Sequence, residues 1–157
     1  MEPDDVRLRS VRDTDVDVFF DHQTDLAAVE MAAVPARDRD QFATHWAKIR
    51  ADGATVTRTI VVGGAVAGNV VSWQHDGRRL LGYWVGRDHW GRGVATAAVT
   101  RFLGELPARP LYAYVAVHNL GSIRVLTKCG FRRDIAAEAA APAPDDGIVE
   151  LIFVRDS

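Results

Sequence analysis

Gly82-Tyr83-Trp84-Val85-Gly86-Arg87-Asp88-His89-Trp90-Gly91-Arg92-Gly93-Val94-Ala95-Thr96 runs from an apolar strand through a glycine-bracketed turn into an amphipathic helix. The first N–H groups of a helix have no intrahelical partner and its dipole places positive partial charge there, so a helix start of this kind is an anion site. Gly91 and Gly93 allow backbone angles that point successive N–H groups into one concavity, and they remove Cβ atoms that would hold a diphosphate away. Arg92 between them adds a full charge, although a solvated cation at a helix start is the plainer reading.

Downstream, Val94, Ala98 and Phe102 recur every fourth residue, with Ala95, Val99, Leu103 and Leu106 on the same stripe, while Thr96, Thr100, Arg101 and Glu105 fall outside it. Pro107 and Pro110 bracket the exit, and Leu111 to Val117 is almost continuously apolar, as a strand buried on both faces would be. Upstream, Gly63-Gly64 and Asp76-Gly77 are hairpin turns, the first between Thr59 to Val62 and Val66 to Trp73, the second before Leu80 to Val85. Three antiparallel strands thus precede the anion loop.

Nearer the start, Val6 to Val11 alternates like a strand, and Thr14 with Asp17 reads as a capping box for a helix carrying Phe19 and Phe20. Asp38 caps a second helix with Gln41 at its third position and Phe42, Trp46 and Ile49 on one face, before Gly53 stops it. The intervening Thr24 to Ala36 carries no clear signal. At the far end, Phe131 to Ile135 and Ile148 to Val154 read as a closing strand pair joined by a mobile loop from Ala136 to Gly147. The expected fold is α+β, one domain over residues 1–157, with a mixed sheet of about seven strands flanked by helices on both faces.

A net charge of -2 leaves no basic footprint for nucleic acid, and Arg78-Arg79 and Arg132-Arg133 read as solvated pairs. Cys129 is the single cysteine, which excludes an intrachain disulfide, and no Cys/His spacing resembles a metal site. The acidic start Met1 to Asp5 lacks the features of a secretory signal and no apolar run spans a bilayer, so a cytoplasmic protein without membrane contact is expected.

A second constellation runs from His118 to Phe131. Asn119 is a good helix N-cap, Gly130 a left-handed C-cap and Phe131 the apolar residue that follows one. Taken together, the two halves resemble the GNAT superfamily of N-acetyltransferases. The pyrophosphate loop of that superfamily is matched by Trp90-Gly91-Arg92-Gly93-Val94-Ala95, and its downstream pattern by Asn119, Ser122 and Lys128-Cys129-Gly130-Phe131. Gly82-Tyr83-Trp84 and Ser122 look most like the branch that includes ribosomal-protein N-terminal acetyltransferases, whose members also acetylate small amines.

The resemblance implies direct acetyl transfer from acetyl-CoA to a primary amine, with no metal and no covalent enzyme intermediate. It implies that the N–H groups of Gly91, Arg92, Gly93, Val94, Ala95 and Thr96 hold the pyrophosphate. Val85 would bond the pantetheine arm through its main chain, and Asn119 would hold the arm's other amide. Where the superfamily often has a proton-donating tyrosine, this chain has Leu126, and Ser122 is the replacement candidate; the carboxylate position before Gly-Tyr-Trp is held by Leu80 and Leu81. His118, His75 and Asp76 are the alternative proton-transfer groups, and a water chain is a further one. Trp73, Tyr83 and Trp84 are candidates for the acceptor wall, while Glu30, Asp25 and His22 fall in the segment that usually shapes that pocket. Many relatives are dimers, so a homodimer stays open.

Three rival readings are weighed against this one. A non-catalytic acyl-CoA-binding module would keep the loop and lack the proton-transfer groups. Dinucleotide binding is opposed by Thr96, which stands where a third glycine belongs, and by the antiparallel strands before the loop. A nucleophilic serine hydrolase is opposed by the missing second glycine around Ser122.

Overall fold

Alternation and turn chemistry place most of the strands where the hairpin glycines demand them. The structure, a computed structural model, describes residues 5–32, 37–144 and 147–157. The first four residues of the acidic start, the end of the Thr24 to Ala36 segment and residues 145–146 of the joining stretch lie outside it. In chain order the elements are β1 (Val6–Arg9), α1 (Asp13–Gln23), α2 (Leu26–Ala32), α3 (Arg39–Ala51), β2 (Val56–Val62), β3 (Ala65–His75), β4 (Arg78–Val85) and a single 3-10 turn at Arg87–His89. Then follow α4 (Val94–Glu105), β5 (Leu111–Ala116), α5 (Leu120–Lys128), β6 (Arg132–Arg133), α6 (Ile135–Ala140) and β7 (Glu150–Arg155).

The strands form one seven-stranded sheet in the order β1-β2-β3-β4-β5-β7-β6, antiparallel everywhere except between β4 and β5. Helices cover both faces. Phe102, Val99, Ala98 and Leu126 from α4 and α5 pack with Ile60, Val70 and Leu111 on one side, while Phe19, Phe42 and Trp46 from α1 and α3 meet Val66 and Val71 on the other. A bulge in β3 makes this double coverage fit: Ile60 pairs with Gly68 and Val61 with Val66, which leaves Ala67 without a partner on β2. The extra residue shifts the alternation, so Val66 and Ala67 serve opposite cores from where a regular strand would put them. Gly68 is the residue this geometry needs, because a Cβ there would lie 2.0 Å from the Trp84 carbonyl oxygen.

The expected α+β architecture, the seven strands and both hairpins are as the sequence indicated. Three local expectations change. The first helix is not capped by Thr14: Arg12 occupies the N-cap, and the third helical residue, Asp15, accepts its N–H at 2.8 Å. Asp15 prevails because its carboxylate is buried where Arg9 and Thr59 also donate to it. The joining stretch begins with a helix, α6, because Asp134 accepts the Ala137 N–H and caps a run of alanines. That helix shortens the preceding strand to Arg132–Arg133. The doubled arginines also find partners: Arg132 bonds Asp156, Arg133 bonds Glu138, Arg78 the Tyr114 hydroxyl and Arg79 the Ala54 carbonyl.

Candidate active site

The site follows from the one parallel strand pair. β4 and β5 bond only at Arg79 with Leu111 and Leu80 with Tyr112, after which the strands part. Beyond that point, Leu81 to Val85 keeps β3 on one side and faces an opening on the other. Gly86 donates to Ala67 of β3, so alternation along the strand turns the Val85 N–H and C=O into the opening. The Val85 carbonyl already accepts the Trp90 indole N–H at 2.8 Å, which leaves its N–H for a ligand amide.

Two cavities meet at this opening. The first, about 630 Å³, is walled by Val85, Trp90, Gly91, Gly93, Val94, Ala95 and Thr96 on one side, with His118, Asn119, Ser122 and the rest of α5's near face opposite. The second, about 730 Å³, lies under α3 and is walled by Trp46, Trp73, Tyr83, Trp84 and Tyr114, with Arg37, His45, Asp52 and Glu150 among its polar residues. Ala32, Tyr83, Trp84, Asn119 and Ser122 line both.

The anion loop is built as its glycines imply. Gly91 and Gly93 take φ of +74° and +75°, and Gly93 is the left-handed N-cap of α4. Neither has an atom within 4 Å of where a Cβ would stand, so the space beside them is open to a ligand. Arg92 is exposed between them and is not part of the cavity wall. Arg124 and Lys128 are, and no carboxylate side chain lines that cavity among the described residues. They lie one turn apart on α5, so the signal available in the sequence was the i, i+4 spacing of two cations after the Asn119 cap. A concavity with cationic side chains and orphan helix N–H groups, and without acids, accommodates a polyanion.

Ser122 sits in the first turn of α5, where its N–H donates to the Asn119 side-chain oxygen at 3.2 Å. Its hydroxyl lies 2.5 Å from the Tyr83 hydroxyl. Burial pushes the Tyr83 phenol up to about 12, against a smaller opposing pull from the Ser122 bond, so the group stays protonated throughout the neutral range. The structure brings Ser122 to the meeting point of the cavities and leaves His118 on the first cavity's wall, its Nε2 2.9 Å from the Glu30 carbonyl oxygen. His75 pairs with Asp76 at the exposed β3–β4 turn and lines neither cavity. Leu80, Leu81 and Leu126 are buried.

Trp73, Tyr83 and Trp84 all line the second cavity. Glu30, Asp25 and His22 do not: Asp25 caps α2 and pairs with Arg87, and the His22 ring packs against Gly86. Sequence reasoning passed over His45, Asp52 and Glu150, which reach the cavity from elements far apart in the chain. Asp52 is held by the Ala54 N–H and the Thr55 hydroxyl. Burial, reinforced by Arg37 and Lys48, lowers the His45 imidazole below its ordinary range. Cys129 is buried at the end of α5 beside the Thr100 hydroxyl, in a packing position.

Comparison with known proteins bears on this geometry. The acetyltransferase (GNAT) domain model matches residues 5–132. An uncharacterized N-acetyltransferase, p20, of Bacillus licheniformis is 34% identical over 65 residues, which is 39% of this chain and 36% of that protein, so the match spans about a third of the relative's length. Among solved structures, spermidine N-acetyltransferase from Vibrio cholerae, in complex with CoA and spermine, superposes with a TM-score of 0.77 at 16% identity, covering 96% of this chain and 94% of that one. RimJ of Mycobacterium smegmatis, in complex with CoA-disulfide, superposes with a TM-score of 0.76 at 23% identity, covering 97% and 82%.

Proposed function

The chain belongs to the GNAT acetyltransferase family, and from that membership we propose that it moves an acetyl group from acetyl-CoA to a primary amine at the meeting point of the two cavities. The observation that carries this reading is the shared wall: a thioester in the acid-free cavity and an amine in the aromatic one would face each other across Tyr83, Trp84, Asn119 and Ser122. Holding two reactants in attack geometry supplies much of the rate in a direct transfer.

In this reading the N–H groups from Gly91 to Thr96 hold the pyrophosphate, with Arg124 and Lys128 adding charge from the opposite wall. Arg92 meets the phosphates from outside that wall. The pantetheine arm extends along the open edge of β4, bonding the Val85 main chain as an added strand would, with Asn119 on its other side. The bonded thioester carbonyl is polarised by backbone N–H as the nitrogen attacks. Ser122 provides the proton for the departing sulfur. His118 helps to hold α2 against the cofactor side through Glu30.

The acceptor follows from proton energetics. Near pH 7.5, holding a lysine amine neutral costs roughly 4 kcal/mol, whereas an α-amine with a pKa of about 7.8 costs well under 1. With apolar Leu80 and Leu81 at the position of the family's usual carboxylate, the chain favours α-amines, on a peptide N-terminus or a small molecule, over lysine side chains. The setting is cytoplasmic, consistent with one buried cysteine, and among the described residues no helix is long and apolar enough to cross a membrane.

The test is release of free thiol from acetyl-CoA with a panel of amines: peptides with a free N-terminus and no lysine, N-blocked peptides with one lysine, and a polyamine. Amine-dependent thiol release that is fastest with the free N-termini is the expected result. Faster turnover of the blocked lysine peptides at matched concentration would overturn the acceptor assignment, and acetyl-CoA binding with no turnover would leave a non-catalytic binding module.

A further inference from the structure

The hydroxyls of Tyr83 on β4 and Ser122 on α5 are 2.5 Å apart at the meeting point of the two cavities. A phenol is a stronger acid than an aliphatic alcohol, so Tyr83 donates and Ser122 accepts. The Ser122 carbonyl, at 3.4 Å, is the poorer alternative acceptor. Once Tyr83 occupies a Ser122 lone pair, the serine proton is directed elsewhere, and the second lone pair is free to receive another. On the reading of the chain as an acetyltransferase, we infer that Tyr83 is a positioning residue that holds the Ser122 hydroxyl as a proton shuttle between attacking nitrogen and departing sulfur.

The step balances without any further acid or base. The amine nitrogen bonds to the carbonyl carbon and an electron pair moves to the oxygen. As that pair returns, the C–S bond breaks with its electrons on sulfur. The surplus proton on nitrogen passes to Ser122 Oγ while the proton of Ser122 passes to sulfur, giving amide, thiol and an unchanged serine. Leucines at the positions of a separate base and acid, Leu80, Leu81 and Leu126, which line the second cavity, are then no defect.

Direct donation by Tyr83 is the competing reading, and its acidity argues against it. Donation would leave a buried phenolate, the form that burial disfavours, whereas Ser122 regains a proton from nitrogen as it gives one to sulfur. The same burial suits the positioning role, because it keeps the phenol protonated and the bond to Ser122 directed.

The experiment follows the chemical step in single turnover with the fastest amine of the panel, for the full chain and for Tyr83→Phe, Ser122→Ala and the double variant. Tyr83→Phe removes one hydroxyl and is checked for folding by circular dichroism. Its expected effect is a loss of at least about tenfold in rate with KM for acetyl-CoA within about twofold. The double variant is expected to be no slower than Ser122→Ala alone, since the two hydroxyls act as a unit. Rates in mixtures of light and heavy water should curve for the unaltered chain, as two moving protons require, and become straight in Ser122→Ala. Multiplicative losses, an unimpaired Tyr83→Phe or a straight dependence in an active unaltered chain would overturn the shuttle while leaving acetyl transfer standing. Absence of turnover with every amine would overturn acetyl transfer, and the shuttle with it.

Discussion

Asp15 shows how one side chain can tie three elements together. Its carboxylate accepts two hydrogen bonds from Arg9 of β1, one from the Arg12 N–H at the start of α1 and one from the Thr59 hydroxyl of β2, at 2.6 to 2.9 Å. Burial pushes its pKa up, but the bonds from Arg9, Arg12 and Thr59 outweigh it and hold the group at about 2. Since this lies below the unfolded value near 4, the stabilisation is full above that pH and fades as pH falls towards 2. Asp15→Asn is expected to cost about 2 kcal/mol at neutral pH and to match the unaltered chain near pH 2, as read from urea midpoints. An equal gap at both pH values would contradict the assignment. The resemblance to the superfamily singled out Ser122, which lines both cavities, but nothing in the sequence paired it with Tyr83. Its partner is 39 residues away, and no local pattern announces that a strand aromatic will meet a helix hydroxyl.

At the scale of the element, α5 both presents Ser122 and starts the cationic wall. Asn119 accepts the Ser122 N–H and is the N-cap. Asn119→Ala should cost about 1 kcal/mol of stability and slow the chemical step, whereas Asn119→Asp, which keeps the capping acceptor, should recover the stability. Thermal unfolding and single-turnover rates separate the two effects; equal stability of all three chains would show that the cap contributes nothing. The helix α3 was readable from its Asp38 cap, apolar face and glycine stop, α4 from its apolar stripe and the prolines after it, and α5 from its Asn119 cap and Gly130 exit. The first helix misled because Thr14 and Asp17 formed an acceptable local signature while long-range partners fixed Asp15 instead. Likewise α6 hid in a stretch whose prolines and aspartates suggested a loop, its six residues being too few for a periodic signal.

For the molecule as a whole, the decisive feature is that β4 and β5 begin as a parallel pair and then separate. The order of strand, anion loop, helix and strand was legible. The extent of the separation was not, because it depends on how α4, α5 and the bulged β3 pack around the two strands. The proposed reaction places acetyl-CoA in that opening. The measurement that tests this most directly is thermal unfolding with acetyl-CoA at a hundredfold over its Kd, with NAD and ATP as controls. Binding at that level adds about 2.7 kcal/mol, or roughly 5–10 °C for a chain of this size. The expected result is a shift of this order with acetyl-CoA alone; no shift, or a shift with NAD in its place, would contradict the account.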